Sequence, residues 1–304
     1  MSPSINPSNE VFLSNMQQIE TRIGTAEQQL SSGLRVNVAS DDPDQISSIL
    51  QLRAQIAGVE QTQQNLSTVT PSVDAGENAI QQAIQALDTA TTLATESAGS
   101  LPTAAQMQDA VPQVQGILQQ LVSLSQTAVG GQYIFSGDQS GQPSYSLNAA
   151  GTGVEQLIQP GPPGQVLDPN GVPISIGLTA QQIFDDGGQA NPAPDNVFAA
   201  VSGLLTSLQN DDSAGIQTAL TNLQAASAYL NNQSSFYGAA QNNITAANSS
   251  ASNTLIQLQT QLSNEQDTDV VQTSEDLQSA LTDEQAAMQA QADFKPQSLF
   301  TYLA

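Results

Sequence analysis

The stretch LSSGLRVNVASDDPDQISSILQLRAQIAGVEQTQQN, residues 30–65, joins the end of one helix to the start of a longer one. Its leucine closes a heptad stripe, and Gly33 supplies the left-handed position at which helices commonly stop. After a loop, Asp41 or Asp42 is suited to N-cap the next helix, with Pro43 in its first turn. Ile49, Leu52, Ile56 and Val59 then open a new stripe of helical period.

Upstream, Phe12, Met16, Ile19, Ile23, Ala26 and Leu30 alternate spacings of four and three on a helix otherwise faced with Gln, Glu and Ser. A helix this short barely passes its nucleation cost alone. Its larger apolar side chains would contribute ~8–15 kcal/mol if fully buried, which requires a partner. The narrow seam fits an ordinary bundle helix as well as an intermolecular coiled coil. Downstream, the second stripe continues through Leu66, Val69, Val73, Ile80, Ile84, Leu87 and Ala94. Pro71 and Gly76 predict a kink or short break in it. As one rod, residues 44–99 would span ~80 Å. A third stripe, Val111, Val114, Leu118, Leu121 and Ala128, carries Pro112 in its early part.

The composition changes from Gly130 to about Pro194, where most Pro and Gly lie, in runs such as Pro160-Gly161-Pro162-Pro163-Gly164. Strand-like segments occur at Tyr133-Ile134-Phe135, Val154 to Gln159 and Val172 to Ile176. Helical periodicity resumes at Val197, Val201, Leu204 and Leu208, then at Ile216, Leu220, Leu223 and Leu230. A last segment carries Leu255, Leu258 and Leu262, then Leu277, Leu281 and Met288, with Asp267-Thr268-Asp269 as an N-cap before Val270. The fold class expected is mainly α with a small β-rich insert: an elongated antiparallel helical rod with coiled-coil termini. Its parts are an N-terminal assembly helix (1–42) pairing with a C-terminal one (265–304), two rod halves (43–135 and 195–264), and a β-rich outward insert (136–194). Pro-Gly density reads as an exposed decoration, so a Gly-Ser linker in place of 138–193 should leave the helical protein intact, provided Tyr133-Ile134-Phe135 stays.

Composition narrows the chemistry. The chain has no His and no Cys, so it offers neither an imidazole base nor a thiol nucleophile. Its cations are Lys295, Arg22, Arg35 and Arg53, and its formal net charge is −24 at pH 7. That charge argues against nucleic acid and anionic lipid as partners. The acid pairs Asp41-Asp42, Asp185-Asp186 and Asp211-Asp212 could serve carboxylate-pair chemistry but read better as helix starts or turns. No D-x-[DN]-x-[DN]-G loop is present. The expectation is no enzyme, no cofactor and no metal, and no apolar stretch reaches the ~18 residues of a membrane span. The N-terminus, MSPSINPS, has no basic or apolar leader region. Arg35 with Asp41 and Asp42 is expected to fix the loop as an ion pair. The sequons at Asn65, Asn243 and Asn248 are taken as accidental.

Leu30, Ser31, Ser32, Gly33, Leu34, Arg35, Val36, Asn37, Ala39, Asp41 and Asp42 meet the L-S-S-G-L-R-[IV]-N-x-A-x-D-D pattern of bacterial flagellins and their junction relatives. Arg53, Ile56, Gly58 and Asn65 also fall where that pattern expects them. Gly130 to Gly137, GGQYIFSG, resembles the G-x-Y-[IL]-F-[AS]-G segment of the hook-filament junction branch. Ser298 to Leu303 is similar to its S-L-L-x-Y-L ending, with Phe300 in an aliphatic position. The resemblance spans about residues 5–135 and 195–304 and implies a flagellin-like fold and a structural subunit of the bacterial flagellum. It implies paired terminal helices lining an export channel, secretion by the flagellar type III apparatus without a cleaved signal peptide, and an extracellular location at the junction. The implied partners are copies of itself, hook-associated protein 1 on the hook side, flagellin on the filament side and a flagellar export chaperone. Subunit-interface candidates are Phe12, Met16, Ile19, Ile23 and Leu30, then Leu255, Leu258 and Leu262, Leu277, Leu281 and Met288, and Leu299 and Leu303. The ends are expected to order only on assembly. A filament subunit and a secreted adhesin whose insert binds a ligand are the alternative functions.

Overall fold

The computed structural model describes residues 7–99, 104–188, 190 and 192–293. Helices α1 (Pro7–Ser32), α2 (Ile46–Ser97) and α3 (Ala104–Ser125) come first. Short strands follow: β1 (Ala128–Val129), β2 (Gln132–Tyr133), β3 (Tyr145–Leu147), β4 (Val154–Gln156), β5 (Gln165–Leu167) and β6 (Pro173–Ser175). Then come α4 (Ala180–Phe184), α5 (Val197–Gln209), α6 (Ser213–Gln266) and α7 (Val270–Asp293). The chain forms two compact units, one of Val59–Asn253 and one of Met1–Gly58 with Thr254–Ala304, so the division runs inside α2 and α6. Among the described residues no helix is long and apolar enough to cross a membrane.

In the Val59–Asn253 unit the helical stripes meet. Leu66, Val73, Ile80 and Leu87 of α2, Val114, Leu118 and Leu121 of α3, Val201, Leu204 and Leu208 of α5, and Ile216, Leu223 and Leu230 of α6 are buried in one cluster. The break allowed for at Pro71 does not occur, for a reason that Pro112 shares. Neither Pro71 nor Pro112 breaks its helix. An interior proline costs ~3 kcal/mol, but Leu66 and Val73 flank the first, and Ala110 and Val114 the second, all buried. Packing on both sides holds each helix through the missing hydrogen bond. Ala128 does not continue the third stripe, since α3 ends at Ser125 and Ala128 opens a hairpin.

Gly76 has a packing role. A Cβ built there would clash with the ring of Tyr237, which is buried on α6. The Tyr237 hydroxyl accepts the Leu178 amide at 3.2 Å, so the ring cannot easily step aside. Gly76→Ala is expected to destabilise this unit by ~1–3 kcal/mol through overpacking, read as a shifted denaturant midpoint. An unchanged midpoint would mean that the ring moves freely.

Three antiparallel hairpins follow α3, the last two inside the insert: β1–β2 pairs Ala128 with Tyr133, β3–β4 pairs Leu147 with Val154, and β5–β6 pairs Val166 with Ile174. The strand expected over Tyr133-Ile134-Phe135 stops at Tyr133, and Phe135 turns into the core. Its ring meets Phe184 edge-on at 6.1 Å, Phe184 stacks on Phe198 at 5.5 Å, and Tyr145 lies 5.1 Å from Phe198. Below them Asp185 is buried and accepts from the Tyr145 hydroxyl at 2.9 Å and from Asn196 Nδ2 at 2.7 Å. Burial, and then the Asp185 charge, push the Tyr145 hydroxyl above its ordinary pKa. Tyr145, Val154, Val166, Ile183 and Phe184 all belong to the helical core cluster. This packing does not fit the expectation of a detachable decoration, because the insert supplies part of the core.

Candidate assembly interface

Leu30 to Gln45 builds a clasp. Gly33 ends α1 at φ +72°, a conformation that favours glycine, and its amide donates to the Gln29 carbonyl at 2.8 Å. The chain then runs beside the α6–α7 turn. The Arg35 amide donates to the Gln266 carbonyl at 2.7 Å, and the Thr268 amide returns to the Gly33 carbonyl at 3.0 Å. Arg35 carries the side-chain part. Its Nη1 donates to Asp42 Oδ2 at 3.0 Å, and its Nη2 donates to Gln45 Oε1 and to the Glu265 carbonyl, each at 2.6 Å. Asp41 holds the loop from inside, its Oδ2 accepting the amides of Asn37 and Val38, each at 2.9 Å. Asp42 Oδ1 accepts the Gln45 amide at 3.2 Å, capping a lead-in turn, and regular helix begins at Ile46. The expected loop-fixing ion pair is therefore present, and it also ties the loop to residues 265–268. Sequence reasoning missed that second half because the receiving groups are backbone carbonyls, which leave no trace in residue type.

Hydrogen bonding from Arg35, foremost among several causes, holds the Asp42 carboxyl below its ordinary pKa of 3.8. A depressed carboxylate contributes stability that is present above its unfolded pKa and is lost as pH falls through the folded one. Amide protection at Arg35 and Thr268, corrected for intrinsic exchange, is expected to hold at pH 5 and to fall as pH drops below about 4. Arg35→Ala also removes a charged-group bond to the Glu265 carbonyl, of a class contributing ~1.5–3 kcal/mol, and should lower that protection roughly tenfold or more at neutral pH. Equal protection in the variant would remove the side chain from the clasp.

Helix α1 packs along α7 in antiparallel register. Arg22 Nη1 lies 3.1 Å from Asp283 Oδ2, both about half exposed, and Ala26 and Gln29 share a cleft with Thr273 and Asp276. Phe12, Met16, Ile19, Ile23 and Leu30 are half-buried along one α1 stripe, and Ala26 is buried among them. On α7 the covered stripe is Thr273, Leu277, Ala280, Glu284 and Ala287. Of the three interface candidates on that helix, only one lies in this intramolecular seam. Leu277 is covered, but Leu281 and Met288 are 40% and 49% exposed and flank the seam. The heptad spacing was legible, yet its members are mostly small or polar and a count of large apolar residues passes over them. Leu255, Leu258 and Leu262 are half-buried, while Leu299 and Leu303 lie outside the described residues.

No chemistry converges here. The acid pairs are structural: Asp185 ends α4, Asp211 takes a left-handed turn at φ +52°, and Asp212 Oδ1 accepts the Ala214 amide where α6 begins. Among the described residues no group of three His, Cys, Asp or Glu could hold a metal ion. Asp269 caps α7, its Oδ1 accepting the amides of Val271 and Gln272.

Residues 4–140 match the bacterial flagellin N-terminal helical region. No curated protein sequence matches the chain. Three solved structures share its fold. A Vibrio parahaemolyticus protein described as flagellar hook-associated is 17% identical with a TM-score of 0.65, over 75% of this chain and 100% of that one. FlgL of Xanthomonas campestris is 17% identical with a TM-score of 0.59, over 70% and 99%. The flagellar junction protein FlgL of Legionella pneumophila is 13% identical with a TM-score of 0.57, over 72% and 99%.

Proposed function

We propose that this chain, which carries a bacterial flagellin N-terminal helical region and the fold of solved junction proteins, is a structural subunit of the flagellum at the hook-filament junction. One observation supports assembly above the others. Of the twelve large apolar side chains exposed among the described residues, nine belong to the unit of Met1–Gly58 with Thr254–Ala304, including Val11, Leu13, Ile256, Val270 and Met288. The other three, Leu157, Leu167 and Val172, lie on the insert hairpins and their loops. Apolar surface gathered on one unit is a contact surface waiting for protein.

On this reading the terminal helices add to those of neighbouring copies, hook-associated protein 1 lies on the hook side, and flagellin polymerises from the other. Export proceeds through the flagellar type III apparatus with a chaperone covering the C-terminal segment, without cleavage of a signal peptide. The chain has no catalytic role. A filament subunit is the second reading, and the GGQYIFSG segment, which resembles that of the junction branch, speaks against it: it supplies the turn and second strand of the β1–β2 hairpin and the Phe135 anchor. An adhesin is disfavoured because the hairpins share the helical core and offer no separately folded binding module.

The test is immunogold labelling of flagella in a strain lacking the native gene and supplied with a tagged copy. Label confined to the hook-filament boundary, with restored motility, is the expected result. Label along the whole filament would favour the second reading, and flagella without label would sink both.

A further inference from the structure

We infer that Arg53 of one copy pairs with Glu275 of a neighbouring copy, with Leu50 seated against that copy's Val271. The inference rests on the self-assembly proposed above. Its starting point is the scarcity of positive charge, four cations against 28 carboxylates. Arg22 is engaged by Asp283 and Arg35 by Asp42, while Lys295 lies outside the described residues. Arg53 is exposed on α2, and among the described residues its side chain makes no hydrogen bond or ion pair. Leu50, three residues earlier on the same face, is 58% exposed, and Ala54 and Ala57 continue that face into solvent.

Copies that each carry −24 repel wherever carboxylates meet, so a contact is favoured where a spare cation can enter it. The matching surface is on α7. Val271 is 70% exposed, and Glu275, one turn further on, is exposed with no partner among the described residues. Each patch thus presents one aliphatic residue and one charge a helical turn apart, with opposite signs. Charge complementarity selects a second copy as the occupant: this chain offers carboxylates in excess, and among the described residues Arg53 is the cation left to give.

The chain has no Cys, so introduced cysteines are unique. Leu50→Cys and Val271→Cys chains carrying different tags are co-expressed in a strain lacking the native gene, and isolated flagella are oxidised. A mixed L50C–V271C disulfide is expected. In parallel, Arg53→Glu alone should lose incorporation into flagella, and Glu275→Arg in the same chain should restore it. Both cysteine chains present in flagella without the mixed disulfide, or an L50C disulfide with itself or with another protein, would overturn the pairing. Should the cysteine chains stay out of flagella, the charge swap decides: normal entry of R53E, or no rescue by E275R, overturns it. Absence of the wild-type chain from flagella would instead overturn the junction reading itself.

Discussion

Replacing residues 138–193 with a short Gly-Ser linker is expected to abolish the cooperative unfolding of the Val59–Asn253 unit. The deleted segment contributes Tyr145, Val154, Val166, Ile183 and Phe184 to the shared core. At ~1.5–3 kcal/mol for each fully buried side chain, that is roughly 8–15 kcal/mol, as much as the whole stability of an ordinary domain. The loss does not end there. Phe135 and Phe198, each now packed against rings of the insert, would face water or collapse into a void. Asn196 would lose the Asp185 carboxylate and the Asp186 carbonyl that its side-chain amide donates to. Thermal denaturation followed by circular dichroism is the measurement, with Phe184→Ala as a milder companion expected to cost ~3–5 kcal/mol. A deletion variant melting cooperatively within about 5 °C of the parent, which at ~2–4 °C per kcal/mol is under ~3 kcal/mol, would restore the view of the insert as decoration.

The contrast between that expectation and the bare sequence marks where sequence reasoning reaches its limit. The helical stripes were legible, because Leu66, Val73, Ile80 and Leu87, or Val201, Leu204 and Leu208, repeat at a period that only one backbone serves, and all are buried. Asp269 as a cap and the bond from Arg35 to Asp42 were legible too, since both are short-range and fixed by residue type. The insert was not. Its strands are two or three residues long, too short for alternation to show, and Tyr145-Ser146-Leu147 and Gln165-Val166-Leu167 carry no turn signature of their own. Whether Tyr145 and Phe184 face solvent or core depends on what the helices leave uncovered, a tertiary fact. The small residues of the α7 seam went unread for another reason. Thr273, Ala280 and Ala287 keep the heptad spacing, but their small side chains let the larger Leu281 and Met288 dominate a search for apolar residues. Small residues in a seam permit close approach of two helices and leave large apolar neighbours on its flank.

That seam carries the other large effect. Ile19→Asp is expected to remove the chain from assembled flagella while leaving the melting of the Val59–Asn253 unit unchanged. Ile19 lies at the middle of the α1 stripe and is half-buried, and it contributes nothing to the core cluster of the larger unit. In the free chain an aspartate there weakens the α1–α7 contact and can turn its carboxylate toward water. In the assembly proposed above the open side of the stripe would be covered as well. Among the described residues the cation on this seam, Arg22, is already engaged by Asp283, so the new charge would be buried without a counter-ion. That costs several kcal/mol per copy, and a ring or layer repeats the cost at every subunit. The measurement pairs secretion and incorporation assays with a thermal melt of the purified monomer. Secreted but unincorporated protein with a wild-type melt is the expected outcome. A melt of the Val59–Asn253 unit lowered by more than ~1 kcal/mol would place Ile19 in the core of that unit, and normal incorporation would remove the α1 stripe from the contact between copies.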